Sequence, residues 1–185
     1  GGLNYYNRRT REFKWYRPQE GRNSISHNNV KALYYDADKE IIWIGTHLGG
    51  LNKLDIRSGH FTHYRMEEGN PNTLPSDIIR DIIPYKSLLI IATQNGVCLF
   101  DPANGQCQQL FKDSKEGKSI KMVADVTFDS EGTLWIAATG EGVFSYRFNT
   151  CKLTNYRHDA TNPNSLSNNN VNNITQDSKG NLWFS

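Results

Sequence analysis

NSLSNNNVNNITQDSKGNLWFS, residues Asn164–Ser185, decides the fold because it is the fourth writing of one template. The earlier copies are NSISHNNVKALYYDADKEIIWIGTHLGGLNKLD (Asn23–Asp55), NTLPSDIIRDIIPYKSLLIIATQNGVCLFD (Asn72–Asp101) and KSIKMVADVTFDSEGTLWIAATGEGVFSYR (Lys118–Arg147). Their anchor positions are Trp43, Ile90, Trp135 and Trp183, separated by 47, 45 and 48 residues. The part of the template that follows the anchor appears first as GGLNYYNRRTREFKWY (Gly1–Tyr16). It returns as GGLNKLDIRSGHFTHY (Gly49–Tyr64), NGVCLFDPANGQCQQL (Asn95–Leu110) and EGVFSYRFNTCKLTNY (Glu141–Tyr156), without a gap. Leu3, Leu51, Val97 and Val143 therefore share one position, and Phe13, Phe61, Cys107 and Leu153 share another.

Each unit reads as four short strands. Strand A runs around Val30–Tyr35, with apolar residues at Val30, Leu33 and Tyr34 and counterparts centred on Ile82, Val126 and Ile174. Strand B is the Ile41–Thr46 run, apolar on both faces, as expected of a strand covered from both sides. Strand C starts at the Gly-Leu pair, and strand D is the Phe-x-x-Tyr run. Turn signals such as DSEG, DSKG, DIRSG and DPANG lie between them. No apolar i, i+3, i+4 stripe persists for three helical turns. Four strands at a period of 45 to 48 residues are the footprint of an all-β fold, the β-propeller, built of four-stranded antiparallel blades. The expected layout is strands C and D of a split blade over 1–17, full blades over 24–64, 73–110 and 119–156, and strands A and B of a split blade over 165–185. The Asn- and Ser-rich stretch of the opening quotation is then the loop from strand D of one blade to strand A of the next. There, short polar side chains cap backbone groups.

The pattern N-S-L-S-x-N-x-V-x-x-I-x-x-D-x-x-G-x-L-W-I-G-T-x-x-G-G-L, present in pieces over Asn164–Trp183 and Trp43–Leu51, resembles the two-component regulator propeller repeat. Departures are Ile90 in place of the Trp, Ala137 and Ala138 in place of Gly-Thr, and a third unit two residues shorter before Val123. That repeat builds the periplasmic sensor region of hybrid two-component histidine kinases in glycan-degrading gut bacteria. The resemblance implies an oligosaccharide ligand, a parent anchored in the inner membrane and acting as a dimer, and output through a cytoplasmic kinase. Relatives of this kind carry seven-bladed propellers in series, so the chain is expected to be an excerpt. The alternatives are ends that pair into a four-bladed ring, or two chains that form an eight-bladed one.

Composition narrows the function classes. The 185 residues, 37% of them apolar, suit a globular protein with a sizeable core. No run of 18 apolar residues exists to span a bilayer. A net charge of +2 does not suggest nucleic acid. The one local excess, Arg8, Arg9, Arg11, Lys14, Arg17 and Arg22, reads as a solvated face or an anion patch. Three cysteines form neither a framework nor a metal spacing. Cys98 and Cys107 are placed to face each other across the C–D hairpin and are expected to stay free.

No catalytic signature is present, no cofactor is implied, and no metal set is predicted. His60 and His63 sit three apart on an expected strand and so point to opposite faces. The D-S-x-G-x-L-W runs miss the Asp box of sialidases by register, since the Asp slot holds Ser130 and the Ser slot Phe128. Asp36, Asp129 and Asp177 are therefore expected to be turn acceptors. Trp43, Trp135 and Trp183 are expected in the core, whereas Trp15, whose equivalents His63, Gln109 and Asn155 are polar, should be exposed.

A ligand is expected at the channel mouth, where the D–A and B–C loops emerge together. Asn28, Asp77 and Asn169 come from the first set of loops, and His47, Gln94, Asn95 and Glu141 from the second. Amides, imidazole and carboxylates offer the donors and acceptors that sugar hydroxyls need. A hydrated rim with local capping is the competing reading. A sensor, a propeller lyase or hydrolase, and a protein-binding scaffold all remain open at this point.

Overall fold

The structure is a computed structural model that describes residues 1–114 and 116–185. Its strands fall into five antiparallel sheets in chain order. β1 (Leu3–Asn7) and β2 (Glu12–Tyr16) form the first. The second holds β3 (Val30–Asp36), β4 (Ile41–Thr46), β5 (Leu51–Asp55) and β6 (Phe61–Tyr64). The third holds β7 (Ile79–Tyr85), β8 (Leu88–Thr93), β9 (Gly96–Phe100) and β10 (Cys107–Gln109). The fourth holds β11 (Val123–Phe128), β12 (Leu134–Ala138), β13 (Gly142–Arg147) and β14 (Lys152–Tyr156). β15 (Ile174–Gln176) and β16 (Leu182–Phe184) close the series. A single 3-10 turn, Gly117–Ser119, is the one helical element among the described residues. It replaces the extended D–A loop in the unit that is two residues short.

In each four-stranded sheet the strands lie in sequence order, joined by hairpins, which is the blade arrangement of a β-propeller. Each first strand carries a bulge at the same place, between Val30 and Ala32, Ile79 and Asp81, and Val123 and Asp125. A bulge increases local twist. Each C strand enters on a glycine at positive φ, such as Gly50 at +70° and Gly142 at +82°. A Cβ at either place would strike the carbonyl oxygen of Tyr64 or Tyr156 on the neighbouring D strand, so only glycine fits.

The cores lie between successive sheets. Trp43, 1% exposed, packs with Ile82, Ile91 and Phe100 of the following sheet, its ring 5.3 Å from that of Phe100. Ile90 takes the same role against Val126, Leu134 and Phe144 one sheet later. The anchor side chain of strand B thus looks towards the next sheet, and this corrects one expectation. Trp135 is covered only in part, by Phe184 and Leu182 of the two-stranded β15–β16 sheet, and Trp183 is 64% exposed. Leu33 departs in the opposite direction. Ile82, Val126 and Ile174 are buried against the preceding sheet, but Leu33 is 56% exposed because the sheet before it is the two-stranded β1–β2.

The template departures are compensated across the interfaces. Gly45 leaves room for Ile79, whose Cγ2 would lie within clashing distance of any Cβ there. Where alanine replaces this glycine, the facing residue shrinks. Ala92 packs in one cluster with Val123, and Ala137 in another with Val171. Glycine against isoleucine and alanine against valine fill similar volumes, the kind of exchange that cores tolerate.

Two smaller expectations are also corrected. Cys98 pairs with Gln109 and Cys107 with Phe100, so the two thiols are diagonal neighbours rather than direct partners. His60 precedes β6 instead of sharing it with His63, whose Nε2 meets the Ser24 carbonyl at 2.8 Å. The basic cluster is divided: Arg8, Arg9 and Arg11 occupy the β1–β2 turn, whereas Arg17 and Arg22 follow β2 at the other end of the hairpin. Trp15 is exposed, with the Arg17 guanidinium 5.7 Å over its ring.

Candidate functional site

The D–A and B–C loops do meet at one end of the sheets, and much of their polar equipment serves to fasten them. The Asp77 carbonyl accepts from Gly50 N at 2.9 Å, that of Asn169 from Gly142 N at 3.0 Å, and that of Asn28 from Gly2 N at 2.6 Å. The side chains complete a buckle. Asp77 Oδ1 accepts from Met66 N and Asn169 Oδ1 from His158 N, both at 2.7 Å. Asn28 occupies the same template position, but the residue opposite is Pro18, which has no N–H to donate. Its side-chain amide is exposed and has no hydrogen-bond partner among the described residues.

Two further members are engaged as well. Glu141 Oε2 accepts from Arg157 Nη1 at 2.5 Å. Asn95 donates through Nδ2 to the Pro75 carbonyl, and its own carbonyl accepts from Gln109 Nε2. Arg65 approaches Asp77 Oδ2 at 3.7 Å.

His47 and Gln94 are different. His47 N donates to Asn29 O, and His47 bridges to Ile78. Gln94 N donates to Ile78 O, Met122 N to Gln94 O, and Thr139 N to Met122 O. The backbone therefore forms one continuous inner rim, Asn29–His47–Ile78–Gln94–Met122–Thr139, that crosses three sheets. Their main chains are spent on the rim, but the side chains are not. His47 Nδ1 is buried without a partner, and the Gln94 amide makes no hydrogen bond among the described residues. Leu48 and Met122, both at positive φ, present exposed apolar surface beside them. Bulky residues rarely adopt that backbone, and where it persists the surroundings impose it. Sequence reading missed Met122 and Thr139. The available signal was position: Thr139 directly follows its strand as His47 and Gln94 follow theirs.

A carboxyl pair lies just behind this rim. Asp81 and Asp125 occupy the residue after the bulge in adjacent sheets and lie close enough for their charges to repel. Asp81 Oδ2 accepts from Val126 N at 3.4 Å, and Asp125 Oδ2 from Ile174 N at 2.6 Å, so each carboxylate reaches into the next sheet. Burial, with the neighbouring Asp125 charge, pushes Asp81 up to about 6 despite the amide of Ile82 bonding its other oxygen. The earliest counterpart is Ala32, which cannot make this reach.

The turn acceptors form a separate device at the opposite, β-hairpin end. Asp129 Oδ1 accepts from Glu131 N and Thr133 N while Oδ2 holds Trp135 Nε1 at 2.7 Å. Asp177 repeats the set with Lys179 N, Asn181 N and Trp183 Nε1. Donation from Asn181 and the indole holds Asp177 down at about 2. The first copy breaks the pattern. Its turn is one residue longer, Asp36 bonds Lys39 instead, and Trp43 Nε1 is left buried without a partner.

The larger cavities belong to none of these places. A groove of about 620 Å3, bounded by Asp129, Glu131, Trp135, Arg147 and Tyr156, and another of about 510 Å3 beside Leu182 and Phe184, flank Trp135. They lie on the face that in the preceding sheets is covered by β9 and β10 or by β13 and β14. Both are inter-sheet packing surfaces. Among the described residues no three His, Cys, Asp or Glu side chains converge as a metal set, and no helix is long and apolar enough to cross a membrane.

Comparison with known proteins agrees with this architecture. The two component regulator propeller family model matches residues 24–47 and 165–185. No curated protein matches the chain. Among solved structures, the extracellular domain of a B. thetaiotaomicron protein described as a hybrid two component system superposes with a TM-score of 0.83. It is 23% identical, over 99% of this chain and 24% of that one. The extracellular domain of a B. thetaiotaomicron one component system gives 0.77 at 22% identity, over 99% and 23%. A B. thetaiotaomicron protein of unknown function gives 0.60 at 16%, over 84% and 44%. The chain is a β-propeller segment that spans about a quarter of the length of the first two structures.

Proposed function

We propose that the chain is a ligand-sensing propeller segment of a two-component regulatory protein, working outside the cytoplasm, in the periplasm, and taking an oligosaccharide at the inner rim. The parent is a hybrid sensor histidine kinase that acts as a dimer. The observation that carries this reading is the contrast within the loops. Asp77, Asn169, Glu141 and Asn95 are committed to neighbours, while the side chains of His47 and Gln94, on either side of Ile78 along one rim, make no hydrogen bond among the described residues. Exposed Leu48 and Met122 add the apolar surface on which a sugar ring can lie. Signal transfer requires only that the ligand bind one state of the parent more tightly than another. The rim suits that role because it is continuous over three sheets, so a ligand that bridges His47 and Gln94 favours one relative setting of them.

The test is calorimetric titration of the chain with a panel of neutral and acidic oligosaccharides, followed by analysis of the sugar. Saturable heat with the sugar recovered intact is expected, and His47→Ala and Gln94→Ala should each weaken binding about tenfold, the equivalent of one good polar contact. Cleaved sugar would replace this reading with an enzyme. Silence across the panel, with binding of a protein partner that sugars do not displace, would replace it with a scaffold.

A further inference from the structure

In the four C–D hairpins one diagonal pair of positions recurs. It joins Asn4 and Phe13, Asn52 and Phe61, Cys98 and Cys107, and Phe144 and Leu153. In the third sheet alone both members are cysteines, although the whole chain holds only three. The two side chains share one face of β9–β10, and their Sγ atoms lie 3.2 Å apart, inside ordinary van der Waals separation. Both are free thiols and both are buried, in the core that contains Trp43 and Phe100. Cys151, the remaining cysteine, is exposed and sits in the turn just before β14.

We propose that Cys98 and Cys107 are a redox site that closes to a cross-strand disulfide in an oxidising compartment. Closure needs the sulfurs to approach by about 1 Å, to the bonded separation near 2.05 Å, while their Cβ atoms stay on the same face. The oxidant is a disulfide of the kind carried by thiol oxidoreductases or oxidised glutathione. One cysteine thiolate attacks a sulfur of that disulfide, which releases one thiol and leaves a mixed disulfide. The second thiolate then attacks the protein sulfur and releases the other thiol. The chain loses two electrons and two protons, and the oxidant gains them as two thiols.

The location explains both what the bond does and when it forms. β10 spans only Cys107–Gln109, the shortest outer strand among the four-stranded sheets. A covalent tie to β9 compensates for the missing ladder and fixes β9 next to the turn that carries Gln94 and Asn95. Burial pushes the Cys98 thiol well above its ordinary range, so exchange on the closed structure is slow. Oxidation therefore proceeds while β10 is undocked, during folding or local opening.

The experiment uses the chain carrying Cys151→Ser, refolded in a glutathione redox buffer, then denatured and alkylated. The Ser87–Lys112 peptide should lose the mass of two hydrogens and take up no label. The folded chain should unfold at a higher temperature than its reduced form, and reduction should abolish the difference. Cys98→Ser should abolish the mass loss, and this mass readout does not depend on that variant's stability. Two alkylated thiols after redox refolding, or glutathione adducts on both cysteines, would overturn the proposal. The result does not depend on sugar binding, so the two readings fail separately.

Discussion

At the residue scale the repeats act as internal controls, because the same position is occupied by different side chains in neighbouring sheets. Gly45 opposite Ile79 and Ala92 beside Val123 make the first case. Gly45→Ala should cost roughly 1–3 kcal/mol by overpacking against Ile79 Cγ2 and Cβ, read as a shift of the urea midpoint. The Asp129–Trp135 hydrogen bond makes the second. Asp129→Ala leaves a half-buried indole N–H unpaired and should cost about 1–3 kcal/mol in the same assay. The Trp anchors were legible in the sequence, but their exposure was not. Spacing identifies a position in a strand, while burial depends on what the next sheet brings, as Trp43 and Trp183 show at 1% and 64% exposure.

The Asp81 carboxyl gives a pH dependence with a definite sign. Its pKa rises on folding, from an ordinary value near 4 to about 6, so the folded chain holds the proton more tightly than the unfolded one. Stability from this group is therefore present below pH 4, falls as pH rises to about 6, and is level above that. The drop amounts to on the order of 2–3 kcal/mol. Asp81→Asn, an amide that carries no titratable proton, should flatten that part of the profile. A midpoint equally pH-dependent in the variant would assign the effect elsewhere.

Elements are joined by fastenings that repeat with the template. Asp77 and Asn169 bind the second N–H after the preceding D strand and, through their carbonyls, the glycine that opens a C strand. Asp77→Ala should lower stability by about 1 kcal/mol, while Asn28→Ala, opposite Pro18, should leave thermal unfolding unchanged. Strand order and hairpin turns could be read from the sequence because alternating apolar residues and Gly-containing turns are local signals. The bulges, the short β10 and the 3-10 turn Gly117–Ser119 could not. They follow from how the sheets twist and where a loop is short, which local pattern does not encode. The candidate site divides in the same way. Polar loop residues were identifiable by type, but only the hydrogen bonds separate His47 and Gln94 from the fastened Asp77, Asn95, Glu141 and Asn169.

For the whole molecule, stability and the proposed recognition share one construction. The sheets pack on their neighbours, D–A loops are tied to B–C turns, and the backbone rim from Asn29 to Thr139 runs beside these ties. A ligand on the rim, as proposed, would therefore contact three sheets at once. Chemical-shift mapping of the isotope-labelled chain, titrated with the sugar that gives saturable heat, tests this most directly. Saturating shifts centred on His47, Ile78, Gln94, Met122 and Thr139 are predicted. Shifts centred on Trp135 and Tyr156 in the outer groove, with the rim unmoved, would contradict the account.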